Sequence, residues 1–202
     1  MSQDSIERSA ILEASIDELS EKGLEGSSLE SVAERTGLSQ EAVARHVGTK
    51  QALFEMVVDW MVDVASPVAQ LRYDPARPFA EQLRELAVME MALIYDPRQI
   101  PLSRVLMFEA ARSPDMGPQV LMRFAEKESN IHRWFVDAAA DGKLGDLAPD
   151  VAADTFTGLL KTPYYWMAVI VWQPEPDADT QNVIIDRACE FLLCRIAKPV
   201  AA

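Results

Sequence analysis

The sequence predicts an all-α fold, and three observations carry that prediction. Apolar residues recur at the i, i+3, i+4 spacing of a helix face from one end of the chain to the other. No segment sustains the period-two alternation of a half-buried strand, and there is no internal repeat or low-complexity run. Helix-breaking residues fall between the periodic segments, as at Gly23, Gly37, Pro75, Pro78, Pro97, Pro114 and Gly142.

The first helix is expected to start at an Asp4 or Ser5 cap, to pack through Ile6, Ala10, Ile11, Ala14 and Leu19, and to end at Gly23. Glu7, Glu13, Asp17, Glu18 and Glu21 read as its solvated face. From Ser27 to Leu53 the pattern is two short helices joined by a tight turn and followed at once by a third. Leu29, Val32 and Ala33 share one face of the first short helix, and Ser27 with Glu30 has the spacing of a capping box. Gly37 stops that helix and supplies the positive φ of a steep turn, and Ser39 is placed to cap the next. Ala42, Val43 and Val47 would pack the second short helix down, leaving Gln40, Glu41, Ala44 and Arg45 outward. Thr49 opens a longer helix with Leu53, Phe54, Val57, Val58, Met61 and Ala65 as an apolar stripe.

At these residues the chain resembles the tetracycline-repressor family of one-component bacterial regulators. That family's pattern runs from a small hydroxyl residue through an apolar-Ala pair, G-[VL]-S, L-Y-x-H-F and a small residue to K-x-x-L. Here Ser28, Val32-Ala33, Gly37-Leu38-Ser39, His46, Thr49-Lys50 and Leu53 match in order, as do the upstream Ile11-Leu12, Ala14 and Gly23. The chain departs from the pattern at Ala44, where Tyr is usual, at Val43 for Leu and at Val47 for Phe. The resemblance implies an N-terminal helix-turn-helix DNA-binding domain over residues 1–50 and a C-terminal helical ligand-binding and dimerisation domain over 51–202. It further implies a homodimer on a double-stranded, palindromic DNA operator and release by a small-molecule effector. Ser28, Ser39, Gln40, Glu41, Ala44, Arg45, His46 and Lys50 are the DNA-binding candidates.

Beyond Ser66-Pro67 and the prolines at 75 and 78, Phe79–Tyr95 reads as a helix with Leu83, Leu86, Ala87, Met91 and Ile94 at core spacing. Pro101 opens a further helix to Ala111, which Ser113-Pro114 stops. Pro118–Ala140 gives a longer one. The pattern resumes at Pro149 with Val151, Ala152, Phe156, Leu159 and Leu160, is expected to kink at Pro163, and continues through Trp166 and Ile170. Asp177 or Asp179 should cap the last helix, where Val183, Ile184, Ala188, Phe191 and Leu192 share a face. The two C-terminal segments carry broad apolar faces suited to a four-helix dimer interface, so Phe156, Leu160, Ile184, Ala188, Phe191 and Leu192 are the dimerisation candidates. Met107, Phe108, Trp134, Tyr164, Tyr165 and Trp166 are the ligand-binding candidates, being aromatic and flexible apolar surface with phenol and indole groups as orienting handles. Aromatics at helical spacing serve more often as core, and the pocket reading leans on the family resemblance.

Composition excludes several classes. The chain has 202 residues, 49% of them hydrophobic, which is enough for a substantial core, and no apolar run is long enough to span a membrane. Cys189 and Cys194 lie about 140° apart on one helix, a poor geometry for mutual pairing that suits reduced thiols and a cytoplasmic location. No metal-ligand spacing, phosphate loop or nucleophile motif is present, and His46 and His132 are far apart in sequence. The chain therefore reads as no enzyme, with no cofactor. Its formal charge of −13 runs against DNA binding, yet residues 27–53 hold as many bases (Arg35, Arg45, Lys50) as acids (Glu30, Glu34, Glu41). That charge also supports an alternative, a helical ligand-binding or protein-interaction module with weakened or lost DNA binding.

Overall fold

The computed structural model describes residues 2–64, 70–112, 116–162 and 164–197. Among these it contains helices and no strand: α1 Gln3–Gly26, α2 Leu29–Thr36, α3 Gln40–Val47, α4 Lys50–Val64, α5 Phe79–Ile94, α6 Gln99–Arg112, α7 Met116–Ala140, α8 Pro149–Lys161, α9 Tyr164–Val171 and α10 Ala178–Ala197. The all-α expectation holds. The breaks assigned to Ser66-Pro67 and Ser113-Pro114 and the kink at Pro163 lie outside the described residues.

The chain forms two compact units, one of Met1–Asp63 with Pro97–Arg123, the other of Val64–Asp96 with Phe124–Ala202. This grouping differs from a division at residue 50, because residues 51–63 of α4 and the whole of α6 join the N-terminal helices. In the first unit α6 packs along α1. Arg98, just ahead of α6, pairs with Glu13 at 2.7 Å and sits 5.0 Å from the ring centroid of Trp60 on α4. At the far end Arg112 pairs with Glu25. Ile11, Ile16 and Leu19 of α1, Val32 of α2, Val43 of α3 and Leu53, Phe54 and Val57 of α4 form the interior, each contributing about 1.5–3 kcal/mol of burial.

In the second unit α5 and α8 both pack on α10, and α9 follows α8 directly in the chain. An aromatic cluster fills one part of the core. Trp134 meets Tyr73 edge-on at 5.5 Å and Phe135 edge-on at 5.1 Å, lies tilted against Phe79 at 5.6 Å, and Phe135 continues edge-on to Phe156 at 5.6 Å. Such edge-to-face pairs place the positive rim of one ring on the negative face of the next. Tyr73 donates to Asp141 at 2.6 Å, and the Gln82 amide closes the turn before α5 by accepting from the Asp74 N–H and donating to the Asp74 and Arg77 carbonyls. Asp177 caps α10 by accepting from the Thr180 N–H at 2.8 Å.

Candidate nucleic-acid interface

The turn between α2 and α3 is built by hydroxyl residues and one glycine. Ser28, not Ser27, is the N-cap of α2. Its hydroxyl accepts from the Ser31 N–H at 3.1 Å while Ser31 accepts from the Ser28 N–H at 3.2 Å, a reciprocal box with Ser in place of the expected Glu30. Ser27 instead ends α1 and donates its hydroxyl to the Gly23 carbonyl at 2.6 Å. The Ser-for-Glu box was hidden because adjacent serines fit the spacing equally well. Gly37 closes α2 in the left-handed region, φ 70°, a backbone that side chains with a Cβ resist. Thr36 pins the same turn, donating to the Val32 carbonyl at 3.0 Å and accepting from the Leu38 N–H. Ser39 then caps α3 by accepting from the Ala42 N–H at 3.1 Å.

Packing of Ala42 and Val43 fixes the roll of α3. Gln40, Glu41 and Arg45 are exposed, while Ala44 and Val47 are half-buried. The outward set is therefore Gln40, Glu41 and Arg45, with Ala44 at its margin. Gly48 ends α3, and Thr49 starts α4 by accepting from the Ala52 N–H.

The scaffold beneath this face contains a group the sequence disguised. Glu18, expected in a solvated acidic stripe, has a fully buried side chain. It accepts from Ser31 Oγ at 2.6 Å and Arg35 Nε at 2.7 Å, and pairs with Lys22 at 2.9 Å. Burial alone would push its pKa up, but the hydrogen bonds from Ser31, Lys22 and Arg35 outweigh it and hold the carboxyl below its ordinary range. Two of these partners lie 13 and 17 residues away, so no local pattern could have shown the site. The N-cap of α1 is likewise Ser2 rather than Asp4 or Ser5, and Ile6 and Ala10 are exposed rather than packed.

The basic residues are mostly engaged. Arg35 holds Glu18 and Glu21, and Lys50 donates to the Glu25 carbonyl at 2.8 Å. His46 is half-buried against α1, with Nε2 at 3.2 Å from Glu7 and Nδ1 at 3.7 Å from Asp4. Hydrogen bonds from Gln3 and then His46 lower the Glu7 pKa. Arg45 remains exposed on the outward face of α3.

The other candidates are dispersed. Met107 and Phe108 are exposed on α6 in the first unit, whereas Trp134 is buried in the second. Tyr164 and Tyr165 are half-buried at the start of α9, with Tyr165 stacked edge-on to the exposed Trp166 at 5.0 Å. Of the dimerisation candidates, Phe156, Leu160, Ile184, Ala188 and Leu192 lie inside the subunit, while Phe191 is 54% exposed. Val151, Ile170 and Val183, which periodicity grouped with the packed faces, are exposed, as are Met167 and Val171, because spacing alone finds apolar positions without showing which of them another helix covers.

Two family models match the chain. Residues 11–57 match bacterial regulatory proteins of the tetR family, and residues 81–197 match the C-terminal domain of AefR-like transcriptional repressors. A TetR family transcriptional regulator from Pseudomonas syringae pv. tomato str. DC3000 is similar over 93% of this chain and 95% of its own, with 27% identity and a TM-score of 0.77. A protein from Mesorhizobium loti MAFF303099 described as a candidate TetR-family regulator gives a TM-score of 0.79 at 21% identity over 96% of this chain and 98% of its own. AibR, in complex with isovaleryl coenzyme A and operator DNA, shares the fold at a TM-score of 0.63 and 19% identity, over 92% of this chain and 97% of its own. No curated protein sequence matches the chain.

Proposed function

The chain belongs to the tetR family of bacterial transcriptional regulators, and we propose that it is a homodimeric repressor that leaves its operator when a small apolar or amphipathic effector binds its C-terminal helices. The observation that carries this reading is the capped α2-turn-α3 unit, whose packed face fixes which α3 residues point outward. Gln40 and Glu41 at the start of α3 are placed to meet base edges, and Arg45 to meet a phosphate or a guanine edge. Ser28 and Ser39, besides capping, stand at helix N-termini, where backbone N–H groups favour phosphate. Lys50 and His46 can serve DNA only by exchanging their contacts with the Glu25 carbonyl and Glu7 for phosphate oxygens.

A palindromic operator requires two reading heads related by a two-fold axis. Phe191 and Val183 on α10 and Val151 on α8 supply exposed apolar surface for such an interface, with the buried Phe156, Leu160, Ile184, Ala188 and Leu192 as its support. Effector action is then a population shift, in which the ligand binds better to the DNA-incompetent arrangement. The AibR complex, which holds both an acyl-coenzyme A and operator DNA, supports a fold that accommodates both partners.

Electrophoretic mobility shift with the DNA upstream of the protein's own gene tests the reading. A retarded band that unlabelled upstream DNA competes away more effectively than scrambled DNA supports it, and no shift at micromolar protein contradicts it. One observation favours a second reading, a protein-interaction module that no longer binds DNA: Arg35, His46 and Lys50 are all held by groups of the chain itself, in a protein of formal charge −13. The same shift assay separates the two.

A further inference from the structure

The recognition helix α3 is tied back to α1 by its own histidine. His46 lies in the last turn of α3, yet its side chain is only 13% exposed because the ring is turned onto the N-terminal part of α1. Nε2 stands 3.2 Å from Glu7 Oε2 and Nδ1 stands 3.7 Å from Asp4 Oδ1, all within the first compact unit. The acceptor is held in place from its own helix. Ser2 caps α1 by accepting from the Ser5 N–H at 3.2 Å, and Gln3 donates to the other Glu7 oxygen at 3.0 Å. An acid in the first turn of a helix is favoured by the helix dipole, which accounts for Asp4. Glu7 falls beyond that turn, and its hydrogen bonds go to Gln3 and His46.

Glu7 offers the imidazole what a DNA phosphate offers, an anionic oxygen that accepts one N–H. Because an ionised carboxylate only accepts, the ring must donate from Nε2, and it does so in the neutral form as in the cation. That N–H goes to Glu7 or to phosphate, not to both. The other engaged cations of the reading head differ in their partners. Arg35 is held by the buried Glu18 and by Glu21 in the scaffold, and Lys50 by the uncharged Glu25 carbonyl. At α3 itself the restraint is a carboxylate whose side chain is 23% exposed.

We propose that Glu7, positioned by Gln3 and assisted by the charge of Asp4, is an internal competitor for phosphate, an autoinhibitory contact that lowers the affinity of α3 for any DNA duplex. The inference rests on the DNA-binding reading given above and adds a restraint to it. Phosphate contacts carry no sequence information, so the restraint weakens matched and scrambled DNA by the same factor. Sequence preference stays with the exposed Gln40, Glu41 and Arg45.

The test is fluorescence anisotropy with the full chain, on a labelled duplex from upstream of the protein's own gene and on a scrambled duplex of the same length. Glu7→Gln keeps the side-chain shape and loses the charge. It should tighten both duplexes alike, by about tenfold where two heads bind one duplex and each contributes about threefold. Asp17→Asn removes the same charge from an exposed position of α1 about 15 Å away, beyond the Debye length of about 10 Å at 0.1 M salt, and should change binding less than about twofold. In a His46→Ala background the gain from Glu7→Gln should fall to the level of Asp17→Asn. Asp4→Asn, at a side chain 82% exposed, should shift binding the same way as Glu7→Gln by a smaller factor and keeps the test open should Glu7→Gln misfold. Unchanged or weaker binding by Glu7→Gln, an equal gain from Asp17→Asn, or a gain that persists without His46 overturns the proposal and leaves the repressor reading standing. A wild type that binds neither duplex while Glu7→Gln binds both equally defeats the operator reading alone. Failure of every variant to bind either duplex overturns both.

Discussion

Replacing Glu18 by Ala removes the one fully buried carboxylate that ties α1 to α2. The wild-type side chain takes three charge-assisted contacts, from Ser31, Arg35 and Lys22. Each such hydrogen bond contributes about 1.5–3 kcal/mol, so a naive sum reaches roughly 4.5–9 kcal/mol. That sum overstates the loss, because the Lys22 side chain is 46% exposed and the Arg35 side chain 29% exposed, and both regain water when the carboxylate goes. Arg35 also keeps Glu21. Breaking a buried pair by removing one partner costs about 3–5 kcal/mol, and the exposure of the two cations places this case at the lower end, about 3 kcal/mol. Because the chain has two compact units, global melting would blur the effect, and native-state hydrogen exchange resolves it. Amides of α1 and α2 should lose protection by about a hundredfold, as 1.4 kcal/mol corresponds to tenfold. Those of α5 and α8 should be unchanged. A loss below tenfold, or an equal loss in both units, would refute the assignment of Glu18 as the anchor.

The remaining predictions concern reading, assembly and pH. Gln40→Ala should cost about 1–3 kcal/mol at one base pair of the operator and little elsewhere, as measured by titration on single-base variants. Arg45→Ala should lower the salt slope of binding by roughly one unit per subunit, since Arg45 is exposed and faces outward; an unchanged slope removes it from the phosphate contacts. Ala44→Tyr, which puts the family's usual residue at the margin of the outward face, should tighten matched and scrambled DNA alike by about 1 kcal/mol if its hydroxyl donates to a phosphate, because such a contact carries no sequence information. Phe191→Asp should yield a folded monomer by light scattering, since this side chain is 54% exposed and its loss leaves the subunit core intact, whereas Leu192→Asp should unfold the chain because Leu192 is fully buried. The lowered pKa of Glu18 fixes the sign of its pH dependence: its stabilisation is complete above the ordinary carboxylate pKa and is lost as pH falls through the lowered folded value. Acid should therefore release α1 from α2, and Glu18→Gln should flatten that dependence in a hydrogen-exchange pH series.

Local chemistry was legible in the sequence, and long-range chemistry was not. Gly37, Ser39 and Thr49 follow from spacing because capping acts over three residues, Asp177 was one of two candidates with Asp179, and the helix faces around Val32, Ala42, Leu86 and Ile184 follow from periodicity. Ser28 rather than Ser27 took the cap because the chain has two adjacent serines and spacing cannot choose between them. Glu18 was unreadable for a different reason: an acid flanked by acids at Asp17 and Glu21 looks solvated until distant Ser31 and Arg35 are brought to it. The same holds for α6, which packs on α1 across more than seventy residues of chain. Tyr95 reads in the sequence as the end of a helix, and that its hydroxyl is buried with no hydrogen-bond partner among the described residues is a property of packing that spacing does not reveal.

In the proposed mechanism two copies of this chain read one operator through α3 and let go when an effector binds. Fluorescence anisotropy of labelled DNA from upstream of the protein's own gene, titrated with protein at two salt concentrations, tests it most directly. The expected result is saturation at two chains per palindromic site, a preference over scrambled DNA that Gln40→Ala erodes, and weaker binding at the higher salt. Equal binding to matched and scrambled DNA, or no binding at either salt, would contradict it.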